Sequence, residues 1–156
     1  MLKVFERLLK ENGNLSELYA DLSNNKELTK IKKSFLNSLP NLKYLNLNNC
    51  SVKAIEDNAF EHCPNLKSIN MSNNKLTQIG FETFKFLEKL EVLSLDHNEI
   101  GFVAGDSFKN CKNLKNLSFY YNKLTKIRSN IFKPLKLLEN LNLALNDIKS
   151  IQSDAF

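Results

Sequence analysis

Leu42-Lys43-Tyr44-Leu45-Asn46-Leu47-Asn48-Asn49-Cys50 decides the fold, because its frame of leucines returns along the rest of the chain. At Leu66 the frame reads Leu-Lys-Ser-Ile-Asn-Met-Ser-Asn-Asn, and it recurs at Leu90, Leu114 and Leu138, with starts 24 residues apart each time. Later in each unit come Val52/Ile55, Leu76/Ile79, Ile100/Val103, Leu124/Ile127 and Ile148/Ile151. Each unit closes on Phe60, Phe84, Phe108, Phe132 or Phe156. Self-similarity at a fixed period of this length is the signature of a solenoid, in which one unit cannot bury its apolar face without its neighbours.

Working outward, 42–65, 66–89, 90–113 and 114–137 are full repeats, and 138–156 is a last repeat that stops early. Residues 15–41 hold a degenerate first repeat: Asn25, Leu28, Ile31 and Phe35 echo the pattern, Ala20 and Leu22 replace two leucines, and one extra residue separates Asn25 from Leu28. Residues 1–14 place Leu2, Phe5, Leu8 and Leu9 at helical spacing before Gly13, which predicts an amphipathic helix capping the open apolar end.

Inside Leu-x-x-Leu-x-Leu the period is two, so the second and third leucines point inward on a short strand. Successive strands then lie parallel, about 4.8 Å apart. The return path takes more room than the strand, which predicts a curved stack with the strands on its concave face. Asn25, Asn74, Asn98, Asn122 and Asn146 form a column at the ninth position, where an amide can satisfy backbone groups of its own turn and the next. Cys50 interrupts it with a weaker donor. The phenylalanines form a second column, ring beside ring.

These residues resemble the leucine-rich-repeat family, in the 24-residue Phe-containing type found in Toll-like receptor ectodomains, over Leu18 to Phe156. The resemblance implies an α/β leucine-rich-repeat solenoid, a curved horseshoe with a parallel β-sheet on the concave face and irregular or short helical segments on the convex face. It also implies a role in recognition, as in innate immunity, through the concave surface or edges. Two departures stand out: extracellular members usually carry cysteine-rich caps, which are not visible here, and the sequence stops inside a repeat. The expectation is a fragment of a larger receptor or adaptor, with possible self-association through the uncapped C-terminal edge.

Composition narrows the function classes. The net charge is +5 from 22 Lys+Arg and 17 Asp+Glu, but the lysines are spread along the chain with no dense basic run. No apolar run could insert into a membrane, and the N-terminus lacks a secretion signal. The compartment stays open: the resemblance points to an extracellular ectodomain, the absent signal and disulfides to the cytoplasm. Cys63 and Cys111 share one place in their repeats and lie two repeats, or about 10 Å, apart, beyond the roughly 7 Å limit for a disulfide. With Cys50 on another side, all three are expected as buried, reduced thiols. Sequons occur at Asn14, Asn49, Asn70 and Asn116, three of them on the strand side, and are weak evidence of secretion.

No catalytic, metal or cofactor constellation emerges. His62 and His97 are 35 residues apart, so they fall on different faces. Ser94, Asp96 and His97 are triad residue types, but Ser94 and Asp96 should project side by side about 7 Å apart with no oxyanion hole. The reading is a non-enzymatic binding scaffold. On the concave face the outward columns are bland amides and serines until the third full repeat, where Asp96, His97, Tyr120, Tyr121 and Leu145 become neighbours; Tyr44 and Tyr19 pair at the other end. Exposed tyrosines among adaptable polar groups suit a protein ligand. The plainer alternative is that Tyr120 and Tyr121 merely cover the curve, with Tyr120 bonding Asp96. Two further readings of the whole chain are a module for nucleic acid or another polyanion, and a structural or engineered solenoid with no ligand.

Overall fold

The computed structural model describes residues 19–156, so the expected helical cap over 1–14 lies outside the described residues. Six three-residue strands, β1 (Tyr19–Asp21), β3 (Tyr44–Asn46), β5 (Ser68–Asn70), β7 (Val92–Ser94), β9 (Asn116–Ser118) and β11 (Asn140–Asn142), form one parallel sheet in chain order. Alternation sets their register: Leu45, Ile69, Leu93 and Leu117 pair in line and are buried. Flanking residues such as Tyr44 and Val92 face out.

The return side carries more order than the sequence suggests. The two-residue strands β2 (Lys30–Ile31), β4 (Ala54–Ile55), β6 (Gln78–Ile79), β8 (Phe102–Val103), β10 (Lys126–Ile127) and β12 (Ser150–Ile151) pair in parallel as β2–β4, β6–β8 and β10–β12. One four-residue helix, α1 (Lys33–Leu36), sits in the first coil and buries Phe35 and Leu36. Elsewhere the return path runs through turns.

Between the two sides lies a single core. Phe60, Phe84 and Phe108 are fully buried and stack with centroids 6.1 Å and 5.6 Å apart, and Phe119 meets Phe108 edge-on at 6.2 Å. Phe132 is buried as well and lies 5.4 Å from Phe156, whose outer side is exposed. In the last coil Leu141, Leu143 and Ile148 are only partly buried.

The asparagine column performs its task in full detail. Asn98 Nδ2 donates to Leu95 O, Asp96 O and, across the coils, Met71 O at 3.0, 3.2 and 3.0 Å, while its Oδ1 accepts from Leu76 N at 3.0 Å. Asn74, Asn122 and Asn146 repeat the set. Asn25 lies half-buried at the head of the column. At Cys50 the thiol donates to Leu22 O at 3.1 Å, taking over the link between coils. It cannot replace the amide oxygen as an acceptor, and it does not need to. The extra residue in the first repeat lets Leu28 N turn back to Asn25 O at 3.1 Å, so the amide that would have sought the ninth position is already satisfied. All three cysteines are buried and unbridged.

Candidate binding surface

The strand side is built from outward columns at fixed register. At the fifth position Asp21, Asn46, Asn70 and Asn142 each turn a side-chain oxygen onto the amide two residues ahead, at 2.8, 3.1, 3.0 and 3.0 Å. Much of the bland amide surface is therefore engaged in holding its own turns. Asn49 and Asn73, in the next column but two, bond side chains of the preceding coil.

Coil five lacks an amide here, and its neighbour makes up the loss. Ser118 Oγ is 3.4 Å from Tyr120 N, whereas Asp96 Oδ1, reaching from the preceding coil, accepts from that amide at 2.9 Å. The same oxygen accepts from Ser118 Oγ, and Oδ2 accepts from Ser94 Oγ at 3.1 Å. Because the Ser94 proton is committed to Asp96, Ser72 donates to Ser94 across 2.6 Å. One expectation is thereby corrected and another is given its atoms. Ser94 and Asp96 lean together instead of standing about 7 Å apart, and Tyr120 meets Asp96 through its backbone amide. Both oxygens of Asp96 are occupied, Oδ1 by Tyr120 N and Ser118 Oγ and Oδ2 by Ser94 Oγ, and the imidazole of His97 is turned to the tyrosines.

His97 faces the tyrosines. Its ring stacks on Tyr121 at 4.9 Å and meets Tyr120 edge-on at 5.3 Å, and the tyrosines are 6.4 Å apart. Tyr120 is half-buried; His97, Tyr121 and Leu145 are exposed, the last two by 56% and 58%. Leu145 belongs to the adjoining coil, whose Ala144 O accepts from Tyr121 N at 3.0 Å. Tyr44 is not brought to this cluster: it pairs with Tyr19 across β1 and β3, three strand steps from β9, or about 14 Å along the sheet.

The eighth column has a property that the sequence reading passed over. Asn24, Asn49, Asn73, His97, Tyr121 and Leu145 all hold positive φ, between 51 and 61°. Left-handed backbone is tolerated by Asn and costs a bulky side chain of order 1 kcal/mol or more. The first three coils place Asn there and the next three place His, Tyr and Leu. A signal was available, since Asn filling one column is itself a mark of left-handed backbone.

Among the described residues no group of three or more His, Cys, Asp or Glu could hold a metal ion, and no helix is long and apolar enough to cross a membrane. Burial pushes the Cys63 thiol up to about 11 and the Cys111 thiol up to about 12, so neither is a nucleophile at neutral pH.

Six parallel coils joined by an asparagine column and filled by leucine and phenylalanine define a repeat solenoid that offers a recognition surface. The leucine-rich-repeat family model matches residues 13–76, 45–100, 64–118 and 88–148, and the chain belongs to the leucine-rich-repeat family. A search of curated protein sequences finds no significant match. Among solved structures, the chain resembles Toll from Drosophila in its complex with Spatzle, at 25% identity and TM-score 0.78, over 90% of this chain and 20% of that one. It resembles TLR13 in a complex with ssRNA13, at 28% identity and TM-score 0.64, over 84% and 22%. The APL1 leucine-rich repeat domain is 28% identical with TM-score 0.73, over 78% and 32%. The chain thus spans between a fifth and a third of the length of these structures.

Proposed function

We propose that this chain is the recognition segment of a receptor or adaptor and binds a protein through the aromatic cluster of His97, Tyr120 and Tyr121, with Leu145 as an apolar flank. The observation that carries the reading is the placement of exposed His97, Tyr121 and Leu145 on left-handed backbone where the other coils use Asn. Strain retained at exposed aromatic positions is a mark of a working surface, because folding alone would favour the smaller residue. Tyrosine adds contact area at low entropic cost, and the ring contacts among these three side chains reduce it further. Asp96 is a positioning residue in this scheme, holding the Tyr120 backbone.

A protein occupant is favoured over a polyanion by the cluster's composition. It contains no lysine or arginine, and a nucleic acid would meet the Asp96 carboxylate at its centre. Toll, one of the similar structures, is complexed with the protein Spatzle, whereas TLR13 is complexed with single-stranded RNA, so the family accommodates both kinds of ligand.

The test is selection of binders from a displayed protein library on the wild-type chain, with the Tyr120→Ala/Tyr121→Ala double variant as counter-selection and a single-stranded RNA 13-mer in parallel. Selected proteins should lose more than tenfold in affinity on the double variant while its melting stays near that of wild type. RNA binding that falls steeply with salt and is indifferent to the tyrosines, with no tyrosine-dependent protein binder, would overturn the proposal.

A further inference from the structure

A second surface lies on the return side, away from the six-stranded sheet. An open groove of about 740 Å³ runs between Phe81, which is 65% exposed, and Phe102, which is 40% exposed. The Arg128 guanidinium lies over the Phe102 ring, 4.8 Å from its centroid. Ala104 and Gly105 contribute to the lining between them. Aligning three coils at the 24-residue period explains the trough: Gly80-Phe81 in one coil and Arg128-Ser129 in another flank Ala104-Gly105, the smallest pair, in the middle. A Cβ on Gly105 would come within 3.1 Å of Ser129 O, so close backbone approach keeps this position bare.

Neither aromatic is explained by the repeat. The positions equivalent to Phe81 hold Asp57, Gly105, Ser129 and Ser153, and those equivalent to Phe102 hold Ala54, Gln78, Lys126 and Ser150. Two exposed rings facing one groove make an apolar patch that the fold does not require. Charge adds a direction to it. Lys85 is paired with Glu82 at 2.8 Å, but among the described residues no carboxylate lies within salt-bridge distance of Arg128 or Lys109. A guanidinium lying over a ring still has N–H groups to offer a carboxylate.

We propose that this groove is a second docking surface, independent of the strand-side cluster, for a short extended segment of a protein partner that carries a carboxylate beside an apolar side chain. The carboxylate pairs with Arg128 and the apolar side chain rests against Phe81 and Phe102. The volume suits a few residues of peptide. A nucleic-acid backbone fits poorly, because Glu82 and Asp106 share the lining with the cations and a phosphate chain needs an unbroken basic track.

The experiment is an amide NMR titration of the isotopically labelled chain with pools of blocked hexapeptides whose centre is Asp or Glu followed by Phe or Leu. Saturable shifts at Phe102, Gly105 and Arg128 are expected. Phe81→Ala and Arg128→Glu should each weaken binding at least tenfold without lowering the melting temperature, since both side chains are exposed. The Tyr120→Ala/Tyr121→Ala variant should bind the peptides as wild type does, which separates this surface from the strand-side one. Twin peptides with Lys for the acid should fail on wild type and recover on Arg128→Glu. The proposal is overturned by equal binding of the Lys twins to wild type, by absence of saturable shifts at Gly105, or by a single-stranded RNA 13-mer moving these amides when the peptides do not.

Discussion

The imidazole of His97 lies against the phenol ring of Tyr121, centroids 4.9 Å apart and planes 30° from parallel, and both residues sit on left-handed backbone in adjoining coils. The column that favours Asn in the first coils thus carries a solvent-exposed aromatic contact.

Relief of that strain should be measurable. Leu145→Asn removes a bulky apolar side chain from φ 55° and places there the short polar residue that Asn24, Asn49 and Asn73 represent at the same position. Chemical denaturation should show a gain of about 0.5–1 kcal/mol. Tyr121→Asn should gain less, because it also gives up the ring contact with His97. A loss of stability at Leu145→Asn would mean that the left-handed backbone carries no penalty there.

The asparagine column should respond unequally to substitution. Asn98→Ala strands Leu76 N in a buried setting, while Met71 O keeps the bond from Asn74 Nδ2, and should cost about 1–3 kcal/mol. Cys50→Asn restores the repeat's preferred residue, yet it should leave stability within about 1 kcal/mol of wild type. The amide that the new carbonyl would serve, Leu28 N, already bonds Asn25 O. Urea midpoints of the two variants, compared at equal m-value, decide this; a large stabilisation by Cys50→Asn would show that Leu28 N is in need of a partner.

Phe108→Ala should cost about 3–5 kcal/mol, since the ring is fully buried between Phe84 and Phe119 and the coils on either side cannot close a gap of that size. Thermal unfolding followed by circular dichroism would register it, and a cost well under 1 kcal/mol would show that the ring is dispensable.

The thiols set an alkaline limit. Folding raises Cys63 from 9.0 to about 11 and Cys111 from 9.0 to about 12 by burial, so the folded state favours the protonated form. Their contribution is intact below pH 9 and declines as pH rises from there towards 11 and beyond, because the unfolded chain loses these protons first. The native protein should react with an aromatic disulfide reagent at pH 8 only as fast as it opens, and Cys63→Ala/Cys111→Ala should flatten the alkaline slope. Rapid labelling of folded protein, or an unchanged slope, would contradict this.

Leu45, Ile69, Leu93 and Leu117 were legible in the sequence because a fixed period leaves one arrangement in which every unit completes the next. The same holds for Asn98 and Phe108, whose columns follow from that period. The return strands were not legible, since two residues are too few to show an alternation. The strand-side cluster was named from register alone, but the service that Asp96 gives to Tyr120 depends on Ser118 Oγ holding that amide only weakly, at 3.4 Å against 2.9 Å for Asp96 Oδ1. Phe81, Phe102 and Arg128 escaped because they stand at positions where the repeat imposes no residue type, and only the fold brings them to one groove.

Each ninth-position amide reaches backward: Asn74 serves Leu47 and Val52, Asn98 serves Met71 and Leu76, and Asn122 serves Leu95 and Ile100. The dependency has a polarity, in which an earlier turn is finished by a later one. Synthesis from the N-terminus therefore delivers each of these turns before the amide that completes its hydrogen bonds.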